Sequence, residues 1–344
     1  MKPTAKTVKV LVVDDSFFMR KVICDMLATD PRVDIVGQAG SGVEALDKIE
    51  QLRPDIMTLD LEMPHMDGLE TLRKLKHAPY APATLVVSAH SRHAAEITLD
   101  CLSAGALDFI LKPSETNAWA LQNTSDDLRA KLNVAIAVGA RNEESPEATQ
   151  ALISGQHHYD VVVIGASTGG PVALENILAQ LPGSLPCPVL VAQHMPSIFF
   201  EALTQRLAKT CKAPIVLAEN GQSVQSGTVY FCPGGAITEI VNEVGPVFHI
   251  QHSDDLLTPS IDAVMTSAAN YYADRTAALI LTGMGEDGLQ GAETVHQQGG
   301  TVMVQDQASS AVFGMGKAVV NAGLADVVLP LNELIPQLLP RLSA

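Results

Sequence analysis

Two sets of polar residues stand where apolar runs stop. In the first 112 residues, Asp14 and Asp15 follow Lys9-Val-Leu-Val-Val13, and Asp60 follows Asp55-Ile-Met-Thr-Leu59. Ser88 follows Ala83-Thr-Leu-Val-Val87, and Lys112 follows Ala106 to Leu111. Three carboxylates without a histidine suit a hard divalent cation such as Mg2+ that keeps part of its water shell. An ammonium and a hydroxyl beside them would hold a phosphoryl group. Asp60 would then be an acyl-phosphate acceptor, with the cation offsetting charge during transfer. The second set is Ser167, His194 and Asp287, each placed after a β-like apolar run. A hydroxyl, an imidazole and a carboxylate suffice for nucleophilic acyl transfer. Serine is too weak a nucleophile alone, histidine takes its proton, and aspartate holds the other ring nitrogen. Ser167 lies in Gly165-Ala-Ser-Thr-Gly169, a turn that would put it at a helix N-terminus, where backbone N–H groups favour an oxyanion.

Each residue taken singly has a plainer reading. Asp15-Ser16 would cap a helix, as would Asp287. Gly165 to Gly170 would suit a phosphate turn, although Ser stands where a strict G-x-G-x-x-G needs its second Gly. His194 would be a hydrogen-bonded histidine beside a proline turn. The chemical readings depend on the residues meeting, and that depends on the elements beneath them.

Those elements alternate. Residues 9–112 read as five short strands separated by amphipathic helices, which implies right-handed crossovers and a parallel sheet. A helical pattern runs from Trp119 to about Ala140, followed by the polar stretch Arg141 to Gln150, broken by Pro146. A second alternation starts at Tyr159. Strands are predicted at 160–164, 188–192 and 277–281, with shorter ones near 215–217, 228–231 and 247–250. In an open parallel sheet, strand C-termini converge on one crevice, so each polar set is expected to assemble. The expected architecture is α/β with two domains: 7–125, a helical and polar linker at 126–156, and 157–344.

Composition narrows the function. The 344 residues are 47% hydrophobic and 17% charged, which suits two cored domains and excludes global disorder. No apolar run approaches 18 residues, and the N-terminus lacks signal-peptide character, so no membrane insertion is expected. Cys24, Cys101, Cys187, Cys211 and Cys232 never form a C-x-x-C pair, which fits reduced thiols and a cytoplasmic location. Residues 157–344 carry 6 Lys/Arg against 16 Asp/Glu, a net charge of −10, leaving little from which to build a nucleic-acid-binding face.

The first segment resembles response-regulator receiver domains. The likeness rests on Val12-Val-Asp-Asp-Ser16, Leu59-Asp-Leu-Glu-Met-Pro-His-Met-Asp-Gly68, Ser88-Ala89 and Leu111-Lys-Pro113. It implies a flavodoxin-like five-stranded parallel sheet with Asp60 as phosphoacceptor. Mg2+ would be held by Asp14, Asp15, Asp60 and the backbone carbonyl of Glu62. Ser88, Lys112 and Phe109 would respond to the phosphate.

The second segment resembles the catalytic domain of the CheB family of chemotaxis methylesterases and deamidases. It shares Ile164-Gly-Ala-Ser-Thr-Gly-Gly-Pro171, Ala192-Gln-His-Met-Pro196, Pro259-Ser-Ile-Asp262, Leu281-Thr-Gly-Met-Gly-Glu-Asp-Gly288 and Gln305-Asp-Gln-Ala-Ser-Ser-Ala-Val-Phe-Gly-Met315. The resemblance implies a doubly wound, mostly parallel α/β hydrolytic domain and a triad of Ser167, His194 and Asp287. Met284 would supply an oxyanion-hole N–H, with Thr168 assisting. The implied reaction is phosphorylation-controlled hydrolysis of glutamate γ-methyl esters, and deamidation of glutamine, on chemoreceptor helices. Implied partners are methyl-accepting chemoreceptors and the histidine kinase CheA. A monomer needing no cofactor for the esterase step is expected. Gly316, Thr258 and Met265 replace the family's Pro, Arg and Phe, which predicts altered docking of the substrate helix with the triad untouched. Two rival readings are a receiver fused to a non-catalytic, ligand-sensing Rossmann-like domain, and a transcription factor. The charge of the second half argues against the latter.

Overall fold

The computed structural model describes residues 7–113, 118–139, 158–255 and 257–343. The chain divides into two compact units, 1–143 and 144–344. The polar linker expected at 141–156 lies outside the described residues.

In the first unit the chain runs β1 (Val8–Val13), α1 (Phe17–Leu27), β2 (Val33–Ala39), α2 (Gly42–Leu52), β3 (Ile56–Asp60), α3 (Gly68–Leu75), β4 (Ala83–Ser88), α4 (Arg92–Ser103), β5 (Asp108–Leu111) and α5 (Ala118–Gly139). The five strands form a parallel sheet in the order β2-β1-β3-β4-β5. Helix starts are set by local side chains. Ser16, Ser41, Asp67 and Ser91 each accept a hydrogen bond from a first-turn N–H. Val10, Val12, Ile56, Leu85 and Val87 pack against Ile23 and Leu27 of α1 and against Leu128, Leu132 and Ala135 of α5. Burying these last three commits the whole of α5 to this unit. The boundary expected at residue 125 therefore falls inside a helix, because its apolar stripe continues without a break.

The second unit runs β6 (Val161–Ala166), α6 (Gly170–Leu178), β7 (Val189–Gln193), α7 (Phe200–Leu207), β8 (Ile215–Leu217), β9 (Val229–Phe231), β10 (Ala236–Asn242), β11 (Pro246–His252), α8 (Ile261–Tyr272), β12 (Thr276–Ile280), α9 (Leu289–Gln297), β13 (Thr301–Gln305), α10 (Met315–Asn321), β14 (Val327–Leu329) and α11 (Leu331–Leu338). Seven strands make a parallel sheet in the order β14-β13-β12-β6-β7-β9-β8. The remaining two, β10 and β11, form an antiparallel hairpin. Sequence reading missed β13, β14 and β10, although in β10 Ala236-Ile-Thr-Glu-Ile-Val alternates as a half-buried strand should.

Both sheets reverse their strand order beside a central strand. The reversal lies between β1 and β3 in the first unit and between β6 and β12 in the second. Crossovers on either side of such a point leave opposite faces, opening a crevice at the strand C-termini. The three departures from the family pattern lie inside the second unit. Met265 is fully buried in its core. Thr258 is buried and accepts a hydrogen bond from Gly235 N–H at 2.9 Å. A Cβ on Gly316 would meet the Phe313 ring at 2.7 Å. Met265 and Gly316 are enclosed in the core, whereas Thr258 lines a cavity that opens beside Asp287.

Candidate functional site

In the first unit, Asp14 follows β1 and Asp60 ends β3, both buried, with Asp15 exposed beside them. Carboxylate oxygens from all three lie within 4.8 Å of one another. Lys112, just past β5, reaches across the crevice to Asp60 Oδ2 at 2.8 Å and to Asp14 Oδ2 at 3.3 Å. Apart from this ion pair, Asp14 Oδ2 is buried without a hydrogen-bond partner. Two buried carboxylates facing one ammonium leave unbalanced negative charge. Hard oxygen donors with one of them unsatisfied fit a divalent cation such as Mg2+. Burial pushes the Asp60 carboxyl up to about 6; the Lys112 ammonium opposes this and the Asp14 charge adds to it. Burial works against the charged form of Lys112, but Asp60 and Asp14 outweigh it and hold the ammonium above its ordinary range.

The other expected receiver residues are placed less directly. The Glu62 N–H donates to Asp60 Oδ1 at 3.4 Å. Ser88 is fully buried, and its hydroxyl accepts a 2.8 Å hydrogen bond from Thr98 on α4. Phe109 is buried, with the Lys131 ammonium 4.6 Å from its ring centroid.

In the second unit, the crevice brings together three residues far apart in the chain. Ser167 follows β6, His194 follows β7, and Asp287 lies in the turn between β12 and α9. His194 Nδ1 is 3.2 Å from Ser167 Oγ, and His194 Nε2 is 2.7 Å from Asp287 Oδ2. Burial pushes the Asp287 carboxyl up, but hydrogen bonds from His194 and from the N–H groups of Ile261 and Asp262 outweigh it and hold it below the ordinary range. An ionised carboxylate only accepts, so Nε2 carries the imidazole proton and Nδ1 is free to accept the serine proton.

Asp287 is seated by two helix starts. The N–H groups of Ile261 and Asp262, which open α8, donate to its Oδ2 and Oδ1 at 2.8 and 2.9 Å. In return, Asp262 Oδ1 accepts from the N–H groups of Gly288 and Gly291 at the start of α9, at 2.9 and 2.7 Å. The Asp262 carboxyl is raised, first by burial and further by the Asp287 charge. Sequence reading quoted Asp262 in a motif without giving it a role. Its spacing from Pro259 and Ser260 at a helix start was the available signal.

The nucleophile turn needs glycine twice. Gly169 caps α6 at φ +78°, a left-handed conformation that side chains resist. Gly283, which precedes Met284, lies so close to the nucleophile that a Cβ there would sit 2.7 Å from Ser167 Cβ and 2.2 Å from Met315 Sδ. The Gly283–Met284 backbone therefore runs beside the serine. Thr168 is buried, and its carbonyl accepts from Thr282 Oγ1 at 2.9 Å. A cavity of about 600 Å3 opens beside Asp287, lined in part by Ser260, Asp262, Glu286 and Gln290. Gly283→Ala should destabilise the second unit by about 1–3 kcal/mol through overpacking and displace Ser167. Fluorophosphonate labelling should then slow more than about tenfold, since small misplacements of a nucleophile are costly. Labelling at the parent rate in a folded Gly283→Ala would show that the turn has slack.

Comparison with known proteins finds relatives of both units. Residues 162–338 match the CheB methylesterase family, and residues 10–121 match the response regulator receiver domain. A protein-glutamate methylesterase/protein-glutamine glutaminase of Thermotoga maritima is 38% identical over 98% of this chain and 99% of its own length. One from Pyrococcus abyssi is 36% identical over 99% of this chain and 95% of its own. The crystal structure of the Thermotoga maritima CheB methylesterase catalytic domain is 40% identical and covers 53% of this chain and 98% of that one, with a TM-score of 0.51. Near-complete coverage of full-length relatives, with both domain types in the same order, shows that the chain belongs to the CheB methylesterase family and carries a response regulator receiver domain before its catalytic domain.

Proposed function

We propose that this chain hydrolyses glutamate γ-methyl esters, and deamidates glutamines, on the cytoplasmic helices of methyl-accepting chemoreceptors, under control of phosphorylation at Asp60. The observation that carries the reading is the continuous hydrogen-bonded chain Ser167 Oγ–His194 Nδ1 and His194 Nε2–Asp287 Oδ2 at the crevice of the second sheet. Ser167 Oγ attacks the γ-carbonyl carbon as its proton passes to His194 Nδ1. The carbonyl oxygen takes up negative charge and is met by the N–H of Met284, assisted by Thr168. The C–O bond to the methoxy group breaks, His194 returns its proton to the leaving oxygen, and methanol departs. Water then attacks the acyl-serine, loses its proton to His194, and releases the glutamate carboxylate and the serine hydroxyl. With glutamine as substrate, the same steps release ammonia. Asp287 stays ionised throughout and balances the imidazolium.

In the receiver, Asp60 accepts the phosphoryl group, from the histidine kinase CheA in the cell. Asp14, Asp15, Asp60 and the Glu62 carbonyl would hold Mg2+, which when bound offsets the charge on the transferring group. Lys112 is placed to pair with a phosphoryl oxygen. Ser88 would have to leave Thr98 to do so. Among the described residues no helix is long and apolar enough to cross a membrane. The deciding experiment is methanol release from methylated receptor membranes with and without acetyl phosphate and Mg2+. Release that rises on adding both supports the reading, and no release under either condition overturns it.

The raised Asp60 carboxyl gives a prediction about pH. Its folded value of about 6 lies above its ordinary 3.8, so the folded chain holds this proton more tightly than the unfolded chain. Without Mg2+, this group's contribution to stability therefore falls as pH rises through that window. A divalent cation reverses the loss by binding the ionised form. The rise in melting temperature on adding Mg2+ should be clearly larger at pH 7.5 than at pH 5. An equal rise at both would remove Asp60 from the cation site.

A further inference from the structure

We infer that Gln193 is a positioning residue for the Ser167–His194 pair, an inference that rests on reading these two as nucleophile and base. Gln193 ends β7 and pairs in register with Ala166, the last residue of β6. Every other residue of β7 is apolar, whereas Gln193 is polar yet only 1% exposed. Its Nε2 donates to two carbonyls at once, Ser167 O and His194 O, each at 3.0 Å. The two residues whose side chains must exchange a proton are 27 positions apart in sequence. Their backbones are tied to a single nitrogen, so neither loop can shift without stretching a buried hydrogen bond.

Two further observations indicate that this arrangement is specified and not incidental. Gln193 Oε1 is buried with no hydrogen-bond partner, a burial that works against stability and that an apolar residue of similar length would avoid. Such local costs are tolerated mainly where function requires them. Gly170 is shaped to the same amide: a Cβ there would lie 1.9 Å from Gln193 Oε1. Gly170 N–H also donates to Ser167 O at 2.7 Å, so the serine carbonyl is gripped by both. On the opposite side Thr282 holds the serine turn, its carbonyl accepting from Ser167 N–H at 3.0 Å. Of these contacts, only the glutamine amide joins the serine turn to the histidine loop through a side chain.

The test uses the full chain and a fluorophosphonate probe, with inactivation kinetics resolved into a maximal rate and a probe affinity. Gln193→Met keeps the length and removes the donor. Gln193→Glu keeps the shape and turns a negative charge toward two carbonyl oxygens. Gln193→Met should melt close to the parent and Gln193→Glu lower, because its charge is buried without a partner; both, assayed below their melting temperatures, should bind the probe with unchanged affinity. Their maximal inactivation rate should fall roughly ten- to a hundredfold, the scale on which misplacing reacting groups acts. A residue that merely filled space would change melting and leave that rate alone. A rate within threefold of the parent in either folded variant overturns the inference. Failure of both variants to fold also overturns it, since Gln193 would then be structural. Absence of labelling in the parent, or labelling that survives Ser167→Ala, counts against the triad itself and is distinguished in this way.

Discussion

Ser167→Ala will fold as the parent does and release no measurable methanol from methylated receptor. The substitution removes one hydroxyl at the end of a buried strand, and the backbone bonds that shape the turn, Ser167 N–H to Thr282 O and Gly170 N–H to Ser167 O, do not involve it. Melting should therefore move little. The rate should fall by orders of magnitude, on the scale of about a millionfold seen when a triad serine is removed elsewhere. His194→Ala should be about as damaging, because the hydroxyl then has no base within 3.2 Å. Asp287→Asn should cost less than either, or as much. With its NH2 in the place of Oδ2 the amide would set the imidazole proton on the wrong nitrogen and leave Ile261 N–H without its acceptor, while its oxygen would still accept from Asp262 N–H. Near-parental hydrolysis by folded Ser167→Ala would sink the triad.

Asp60→Asn will take up no phosphoryl group from acetyl phosphate. The amide fits the same space between Lys112 and Asp14 but offers no carboxylate to form the acyl phosphate. The loss should be complete, not graded, and the stimulation of methanol release by acetyl phosphate should vanish with it. Basal esterase activity should remain, since the triad lies in the other unit. The measurement is incorporation of labelled phosphate in Mg2+, with EDTA as control. Incorporation that survives Asp60→Asn would move the phosphoacceptor elsewhere. Loss of basal hydrolysis in this variant would show that Asp60 serves more than phosphoryl transfer.

Much of this site can be read from the linear chain, because the signals are local. Apolar runs of four to six residues ending in Asp, Ser, His or Lys mark strand C-termini wherever they occur, and parallel βα alternation sends those ends to one edge. Asp14, Asp15, Asp60, Ser88 and Lys112 are thereby directed to one crevice, and Ser167, His194 and Asp287 to another. Local pattern also marked the helix caps at Ser16 and the glycine turn at 165–170. It was weaker where one period runs across a functional boundary, as in α5, whose stripe gave no sign of where the receiver core ends. It could also have found β10, whose alternation was overlooked.

Other features depend on contacts between residues far apart in the chain, which no local period encodes. The strand order put β6 between β12 and β7, and only that neighbourhood brings Thr282 and Gln193 to opposite sides of Ser167. The exchange of caps between Asp287 and Asp262 requires the starts of α8 and α9 to meet, 28 residues apart. The imidazole's choice of Nδ1 for serine and Nε2 for aspartate follows from where the two loops enter the crevice. Ser88 was expected to face the phosphate, yet its hydroxyl is held by Thr98, because α4 packs its polar threonine against the end of β4. The physical reason is common to all four. Side-chain periodicity reports which face of an element is buried, whereas hydrogen bonds between elements depend on strand order, register and helix approach, and those are settled only when the core packs.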